Sequence, residues 1–458
     1  MSKEREPRII SKLFGTDGVR GVANDALTPE LAFAIGRAGA TVLGHSSDRH
    51  RPVIVGRDTR LSGTMLEAAI VAGITSVGRD TVSLGVVPTP AVACVTVREG
   101  AAAGVMISAS HNPIADNGIK FFGPDGFKLS DAIEDEIESL VGSDALPRPT
   151  GTGVGVARLA QNLAKHYYEE LYAGAADLTG LEIVVDAAFG AAYAIAPYAL
   201  RKLGATVYEL HAENDGSRIN VASGATDMRA LQAKVKELAA SGHDRVIGVA
   251  FDGDADRALF VDETGERTSG DHIMFALGRE AHARGELRGD AIVGTVMSNI
   301  GLERALSRYD IRLLRAPVGD RYVLEQMRAG GYVLGGEQSG HIIDLRRNTT
   351  GDGAMTAVAL LSLLARDGKR LRDEVAEVVD APQILVNVRT ADTAVLERPE
   401  IVAAVAAAEA DLAGTGRLLI RPSGTEPLIR VMTEGDDRAQ IEGIARDLAA
   451  RIEAAAAP

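Results

Sequence analysis

The sequence predicts an α/β protein: three consecutive α/β domains with mixed or parallel sheets, then a smaller α+β C-terminal domain, all facing one central cleft. Three observations carry this. Short runs rich in Val and Ile alternate with helical patterns. A Gly- and Pro-rich break at 142–155 and changes of pattern near Asp262 and Pro382 divide the 458 residues into units of ordinary domain size. Three apolar runs end in unusual polar loops, "GVMISASHNP", "GVAFDGDADR" and "YVLGGEQSGH", and a fourth loop, "RPSGTEP", joins two strands of the tail. Ligands of α/β sheets bind outside the carboxyl ends of strands. One such loop per domain therefore points to a shared cleft.

The first unit, residues 1–155, opens with the helix "LTPELAFAIGRAGATVLG", capped by Thr28 with Pro29 at the first helical position. "PVIVGRD" reads as a strand, "GTMLEAAIVAGITSVG" as a helix and "AAAGVMIS" as the next strand. The stretch "GSDALPRPTGTGVG", residues 142–155, lacks periodicity and reads as a linker. The second unit, 156–261, holds the strand "LEIVVDAAFG", the helix "AAYAIAPYALRKLG" and the helix "DMRALQAKVKELAASG". Asp227 is the expected N-cap of that last helix and Gly242 lies past its end. "RVIGVAFDGDADRALFVDETG" then reads strand, loop, strand. The third unit, 262–379, contains "DAIVGTVMSN", "GYVLGGEQSGH" and the apolar helix from Gly353. The fourth, 380–458, reads strand, helix, strand, strand, helix.

Hydrophobic residues make up 46% of the chain, enough for sizeable cores. A formal net charge of −14 argues against a general nucleic-acid binder, and a phosphorylated substrate would need a local positive pocket within this acidic whole. The single cysteine, Cys94, excludes an intrachain disulfide and fits a reducing compartment. The charged start "MSKEREPRII" is not followed by a long apolar run, and "GAMTAVALLSLLA" is too short to span a bilayer. The expectation is a cytoplasmic protein without nucleic-acid or membrane partners.

The loops carry the chemistry. "DGDADR" sets Asp252, Asp254 and Asp256 at alternate positions, where like charges resist ionisation unless a divalent cation is present. An EF-hand is disfavoured, because Arg257 stands where its sharp turn needs Gly and the flanks read as strands. A solvated acidic loop is the plainer alternative. "RPSGTEPLIR" offers the guanidinium forks of Arg421 and Arg430, the hydroxyls of Ser423 and Thr425 and a close backbone approach at Gly424, a cradle for phosphate; a tight turn with two surface arginines is the alternative. "GGEQSGH" offers Glu337 and Ser339 to sugar hydroxyls and His341 as a proton carrier. In "KLFGTDGVRG", Arg20 lies in a Gly-flanked turn. Ser108 and Ser110, on an extended chain, would face the same way, with His111 opposite and poorly placed as a base for Ser110. No GxSxG elbow is present. A phosphorylated serine would need no such base, only a metal and positive groups nearby.

The motifs "SASHNP", "DGDADR", "GEQSGH" and "RPSGTEP", in that order and spacing, resemble those of the α-D-phosphohexomutase superfamily over essentially the whole chain. "LFGTDGVRG", "MISASHNP…DNGIKFFG" and "TVMSN" resemble its branch acting on amino-sugar phosphates. The resemblance implies a phosphoserine at Ser110, with Ser108 a neighbour. It implies one Mg²⁺ on Asp252, Asp254 and Asp256, completed by an oxygen of the Ser110 phosphate. Arg20, His111, Lys120 and Arg257 would line the transfer site, with Lys120 and His341 as acid and base. Glu337 and Ser339 would grip the sugar, and Arg421, Ser423, Gly424, Thr425 and Arg430 the phosphate that is not reacting. The implied reaction interconverts glucosamine 6-phosphate and glucosamine 1-phosphate, feeding UDP-N-acetylglucosamine and cell-wall precursor synthesis. Glucosamine or glucose 1,6-bisphosphate would be intermediate or activator. Action on mannose or glucose phosphates, or sugar-phosphate binding without turnover, are the alternatives. The resemblance leaves room for a homodimer. "SRINVASGATD" (217–227) and "VVDAAFGAA" depart from the branch's usual Asn-Ile-Asn…Cys-Gly-Ser and Cys-Ala-Asn. These departures are expected to bear on packing and subunit contacts more than on chemistry.

Overall fold

Alternation along the strand at Val53–Arg57 sorts its side chains to two faces. Val53 and Val55 pack with Ile35 and Ile70, whereas Ile54 packs with Val92 and Val95. A strand buried on both faces lies in a sheet covered by helices on each side. The computed structural model describes residues 12–15, 17–44, 51–423 and 427–456.

The first sheet contains β1 (Val19–Val22), β2 (Val53–Arg57), β3 (Thr81–Val86), β4 (Ala103–Ile107), β5 (Asp116–Phe122) and β6 (Ala157–Leu159), in the order β1-β5-β4-β2-β3-β6. Strands β4, β2, β3 and β6 run parallel, and β5 is antiparallel to β4 and β1. Its helices are α1 (Pro29–Leu43), α2 (Gly63–Ser76), α3 (Thr89–Arg98) and α4 (Asp131–Leu140). Thr28 caps α1 as expected, its Oγ1 accepting from the Leu31 N–H at 3.2 Å. β6 follows the expected linker yet joins the first sheet, where the Thr81 N–H donates to the Val156 carbonyl at 2.9 Å. A three-residue exposed edge strand carries no periodicity that would reveal it.

The second unit contains α5 (Lys165–Tyr172), β7 (Glu182–Asp186), α6 (Ala192–Lys202), β8 (Thr206–Leu210), α7 (Arg229–Ala240), β9 (Val246–Phe251), β10 (Ala258–Val261) and β11 (Arg267–Thr268), with the sheet ordered β11-β10-β9-β7-β8. β9 and β10 form an antiparallel hairpin that presents residues 252–257 at its tip. β11 extends this sheet beyond residue 262. Asp227 is not the N-cap of α7. Asp227 closes a 3-10 turn at Gly224–Thr226, Met228 takes the cap position, and the Asp227 carboxylate accepts from the Arg229 N–H and guanidinium. Gly242 follows the helix end at φ +93°, as expected of a left-handed glycine.

The third unit comprises α8 (Gly270–Ala283), β12 (Ala291–Thr295), α9 (Ile300–Ser307), β13 (Arg312–Ala316), α10 (Asp320–Gly330), β14 (Leu334–Gly336), β15 (Ile342–Asp344), α11 (Gly353–Asp367) and α12 (Leu371–Val375). Its sheet order is β13-β12-β14-β15, and the β14–β15 hairpin carries residues 337–341. The fourth unit follows the expected order: β16 (Gln383–Arg389), α13 (Pro399–Asp411), β17 (Gly416–Pro422), β18 (Leu428–Gly435) and α14 (Arg438–Ala456), with an antiparallel sheet β16-β18-β17.

One buried apolar cluster runs through the first three units, from Ile54 through Ile183 to Ile292 and Leu361. The fourth unit has its own, around Val388, Ile429 and Leu448. The fourth unit joins the third largely by polar contacts around the "TVMSN" segment. Arg417 donates to the Val296 and Ser298 carbonyls at 2.8 Å each, and the Ile300 N–H donates to Glu434 at 3.0 Å. No described helix is long and apolar enough to cross a membrane.

Candidate active site

The chain leaves β4 through Ser108 and Ala109, both fully buried, and turns at Ser110, whose φ is +51°. A serine in this left-handed region costs about 1 kcal/mol or more and persists only where its surroundings hold it. Several contacts do so. The Ser110 N–H donates to Ser108 Oγ (2.9 Å), which donates to Asp58 Oδ2 (2.6 Å). The Ser110 carbonyl accepts from Arg60 Nη2 (2.9 Å) and Asn220 Nδ2 (2.8 Å). The two serine hydroxyls therefore do not share a face. Ser108 is turned under the loop, and Ser110 Oγ donates to Asp252 Oδ2 at 2.6 Å. The same turn brings His111 Nδ1 to 3.4 Å from Ser110 Oγ, against the expectation from an extended chain. Burial, then Arg257 and Arg20, lower the His111 imidazole to about 4, so it is neutral near pH 7.

Asp252, Asp254 and Asp256 converge because the β9–β10 turn passes through Ala255 at φ +57°. All three are buried, with ligand oxygens within 4.8 Å of one another. Burial, then Asp256 and Asp254, push the Asp252 carboxyl well above the usual carboxylate range. Asp254 Oδ2 accepts from Thr89 Oγ1 (2.6 Å) and Lys120 Nζ (3.0 Å). Asp254 Oδ1 and Asp256 Oδ1 are buried and accept no hydrogen bond. Buried carboxylate oxygens without donors are costly. An all-oxygen set of this kind fits a hard divalent cation.

Cations ring the triad. Lys120, projecting from β5 and 2% exposed, has Nζ 3.0 Å from both Asp17 Oδ2 and Asp254 Oδ2 and 3.9 Å from Asp256 Oδ2. Burial works to lower its pKa, but Asp17, Asp254 and Asp256 outweigh burial and hold it above the ordinary lysine value. His341 sets Nδ1 3.5 Å from Asp256 Oδ1 and Nε2 3.4 Å from Asp320 Oδ2. Burial opposes its charge, but Asp256 and Asp320 raise it to about 9. Both groups are thus proton donors in this arrangement. Arg257 reaches the triad with its N–H (3.2 Å to Asp252 Oδ1) and with Nε, 3.9 Å from Asp256 Oδ1. Arg20 pairs with Asp17 and donates to Asn112 Oδ1 at 3.2 Å.

Glu337 and Ser339 are brought together as expected. Glu337 Oε2 accepts from Ser339 Oγ at 3.3 Å and Oε1 from the Gly319 N–H at 3.1 Å. In the fourth unit Arg421 and Arg430 are cross-strand partners on β17 and β18, and the Ser423 N–H donates to the Leu428 carbonyl at 2.8 Å. Burial, then Arg430, lower the pKa of Arg421, a like-charged pair suited to an anion. Gly424 and Thr425 lie outside the described residues.

Sequence reasoning missed several groups. Lys128 bridges Asp17 and Asp320 beside Lys120 and His341. Asp58 and Arg60 lie under the serine loop. A signal for them existed, because "GRDTR" stands at the carboxyl end of β2, where α/β sheets bind ligands. Asn220 reaches the Ser110 carbonyl from "SRINVASGATD", so that divergent segment touches the serine loop after all.

Three α/β units and a smaller α+β unit, with a serine hydroxyl held against a buried carboxylate triad, have the fold and site of a phosphohexomutase. The chain belongs to the phosphoglucomutase/phosphomannomutase family. Family models for alpha/beta/alpha domains I, II and III match residues 11–147, 165–265 and 269–381, and that for the C-terminal domain matches 385–451. Among curated proteins the chain is similar to phosphoglucosamine mutase of Moorella thermoacetica, 53% identical over 439 residues, covering 95% of this chain and 98% of that one. It is also similar to phosphoglucosamine mutase of Symbiobacterium thermophilum, 51% identical over 444 residues, covering 96% and 98%. Among solved structures, a phosphoglucomutase/phosphomannomutase family protein of Burkholderia thailandensis matches with a TM-score of 0.80 at 25% identity, covering 98% of each chain. N-acetylphosphoglucosamine mutase of Aspergillus fumigatus, in complex with GlcNAc-6P and magnesium, shares the fold with a TM-score of 0.65 at 17% identity, covering 98% of this chain and 97% of that one.

Proposed function

We propose that this chain interconverts glucosamine 6-phosphate and glucosamine 1-phosphate, with Ser110 as the phosphoryl carrier. The observation that carries the reading is Ser110 Oγ held 2.6 Å from Asp252, within a buried carboxylate triad. The similarity to phosphoglucosamine mutases over nearly the whole chain supports the choice of sugar.

In the phosphorylated enzyme the sugar 1-hydroxyl attacks the Ser110 phosphorus. The new O–P bond forms as the Ser110 Oγ–P bond breaks. The hydroxyl proton passes to a base, and Ser110 Oγ regains a proton. The resulting 1,6-bisphosphate turns around, and Ser110 takes back the 6-phosphoryl group. Lys120 and His341 form the acid–base pair: one gives its proton to the leaving Ser110 Oγ, the other, having lost its own, takes the proton of the attacking hydroxyl, and the two exchange roles in the reverse half. Asp252, Asp254 and Asp256 would hold Mg²⁺, which neutralises charge on the transferring group. Arg20, His111 and Arg257 orient the phosphoryl group. Glu337 and Ser339 face the sugar hydroxyls. Arg421, Ser423, Gly424, Thr425 and Arg430 hold the phosphate that is not reacting. Glucosamine or glucose 1,6-bisphosphate recharges enzyme that has lost its phosphate. A cytoplasmic location and a homodimeric state belong to the same reading.

Two measurements test it. Peptide mapping of phosphate places the modification on Ser110, and Ser110→Ala lowers turnover by roughly 1,000-fold or more. Full activity in that variant removes Ser110 from its role. The ratio of kcat/KM for glucosamine 6-phosphate to those for mannose and glucose 6-phosphates decides the sugar; a preference for either of the latter favours the other hexose phosphates.

A further inference from the structure

Arg60 touches neither the carboxylate triad nor any group assigned to the sugar, yet it is fully buried with every guanidinium N–H engaged. Nη1 donates to the carbonyls of Pro113 (2.6 Å) and Asp116 (3.0 Å). Nη2 donates to those of Ser110 (2.9 Å) and Asn112 (2.8 Å), and Nε to Asp58 Oδ2 (3.0 Å). Five donors meet five acceptors, the full capacity of the group. Asp58 is fully buried too. It orients the fork through the Arg60 N–H (2.9 Å to Oδ1) and holds Ser108, whose hydroxyl accepts from the Ser110 N–H. The peptide groups on both sides of the left-handed Ser110 are therefore held from below by this ion pair, with Asn220 sharing the Ser110 carbonyl.

We propose that Arg60 is a positioning residue for phosphoryl transfer: clamped by Asp58, its guanidinium fixes the carbonyls of Ser110, Asn112, Pro113 and Asp116, and so aims Ser110 Oγ at the aspartate loop. The proposal rests on Ser110 being the carrier. In-line transfer tolerates little misplacement of the reacting atoms. Lysine, a point charge with three donors, cannot reproduce a planar fork that spans four carbonyls. Substrate recognition is made elsewhere, by the sugar and phosphate loops. Loss of the clamp is therefore felt in kcat and not in KM.

The test uses the full-length phosphorylated protein with Mg²⁺ and glucosamine 6-phosphate. Arg60→Met is expected to lower kcat by about 100-fold, and Arg60→Lys by about 10-fold, with KM changed by less than about 3-fold. Single-turnover release of labelled phosphate from Ser110 to the sugar slows by the same factor. Arg60→Met strands a buried Asp58, so the double variant Asp58→Asn/Arg60→Met accompanies it. A wild-type kcat per folded molecule in either, with folding followed by circular dichroism, overturns the proposal. If neither folds, Arg60→Lys, which keeps a cation beside Asp58, carries the test: a lower kcat at unchanged KM supports the clamp and an unchanged kcat overturns it. Ser110→Ala separates the two readings. Turnover in that variant removes the carrier and the clamp together, whereas an inactive Ser110→Ala beside wild-type kcat in the Arg60 variants removes the clamp alone.

Discussion

Asp271 shows how a single buried carboxyl couples the third and fourth units to pH. It lies in the first turn of α8, fully buried, and accepts from the Asn299 N–H at 2.8 Å. Asn299 in turn exchanges hydrogen bonds with Ala381, at the entry to the fourth unit. Burial pushes the Asp271 carboxyl up to about 6 against these hydrogen bonds. The folded pKa stands above the unfolded value near 3.9, so the stability it contributes is complete below about pH 4 and is lost as pH rises through 6. Asp271→Asn keeps an acceptor and removes the titration. Urea melts at pH 4 and pH 7.5 should show the variant gaining about 3 kcal/mol on the wild type between the two. An unchanged difference means that Asp271 does not titrate in this window. At this scale the triad and Ser110 were legible because each sits in one compact, chemically unusual stretch. Arg60 and Asn220 were not, because their contacts with Ser110 span 50 and 110 positions and exist only after folding. The left-handed turn at Ser110 likewise overrode the extended reading that put both hydroxyls on one face.

Among the elements, β17 makes the contact that fixes the fourth unit. Glu434 is fully buried, accepts from the Ile300 N–H, and pairs with Gln383 and Arg417. Arg417→Met leaves this carboxylate with a missing cation and releases the Val296 and Ser298 carbonyls. Breaking such a pair from one side costs about 3–5 kcal/mol. The expected outcome is a looser fourth unit: a larger radius of gyration by small-angle scattering, and a weaker grip on the non-reacting phosphate seen as a raised KM. The cradle must accept phosphate from either end of the sugar, so closure of this unit over the cleft is part of the reading. Wild-type protein that shows no compaction with bisphosphate contradicts closure. Most elements were legible from apolar runs such as "VIVGR" and "VIGVAF", which became β2 and β9. β6 and β11, three and two residues long, were not, and the cap of α7 falls one residue later than expected, at Met228, because Asp227 ends a 3-10 turn.

Across the whole molecule, an acidic chain of net charge −14 gathers Arg20, Lys120, Lys128, Arg257 and His341 into one region. Each is matched there to a buried or half-buried carboxylate among Asp17, Asp256 and Asp320. The cations that a phosphorylated substrate requires are thus held in place by paired carboxylates, and sequence could give the requirement but not the pairs.

The position of β6 has a practical side. The chain leaves the first unit through residues 147–155 and then returns one strand to that unit's sheet. A protease nick in that segment should sever the backbone without parting the halves, because the downstream fragment stays stitched in beside β3 and shares the buried apolar cluster of the first three units. The nicked protein should run as one species on gel filtration and as two bands only after denaturation. Separate peaks on the column would show that neither the stitch nor the shared core holds. A cut after Leu159 leaves the strand with the sheet it completes, yet it still parts the buried apolar cluster that the first three units share.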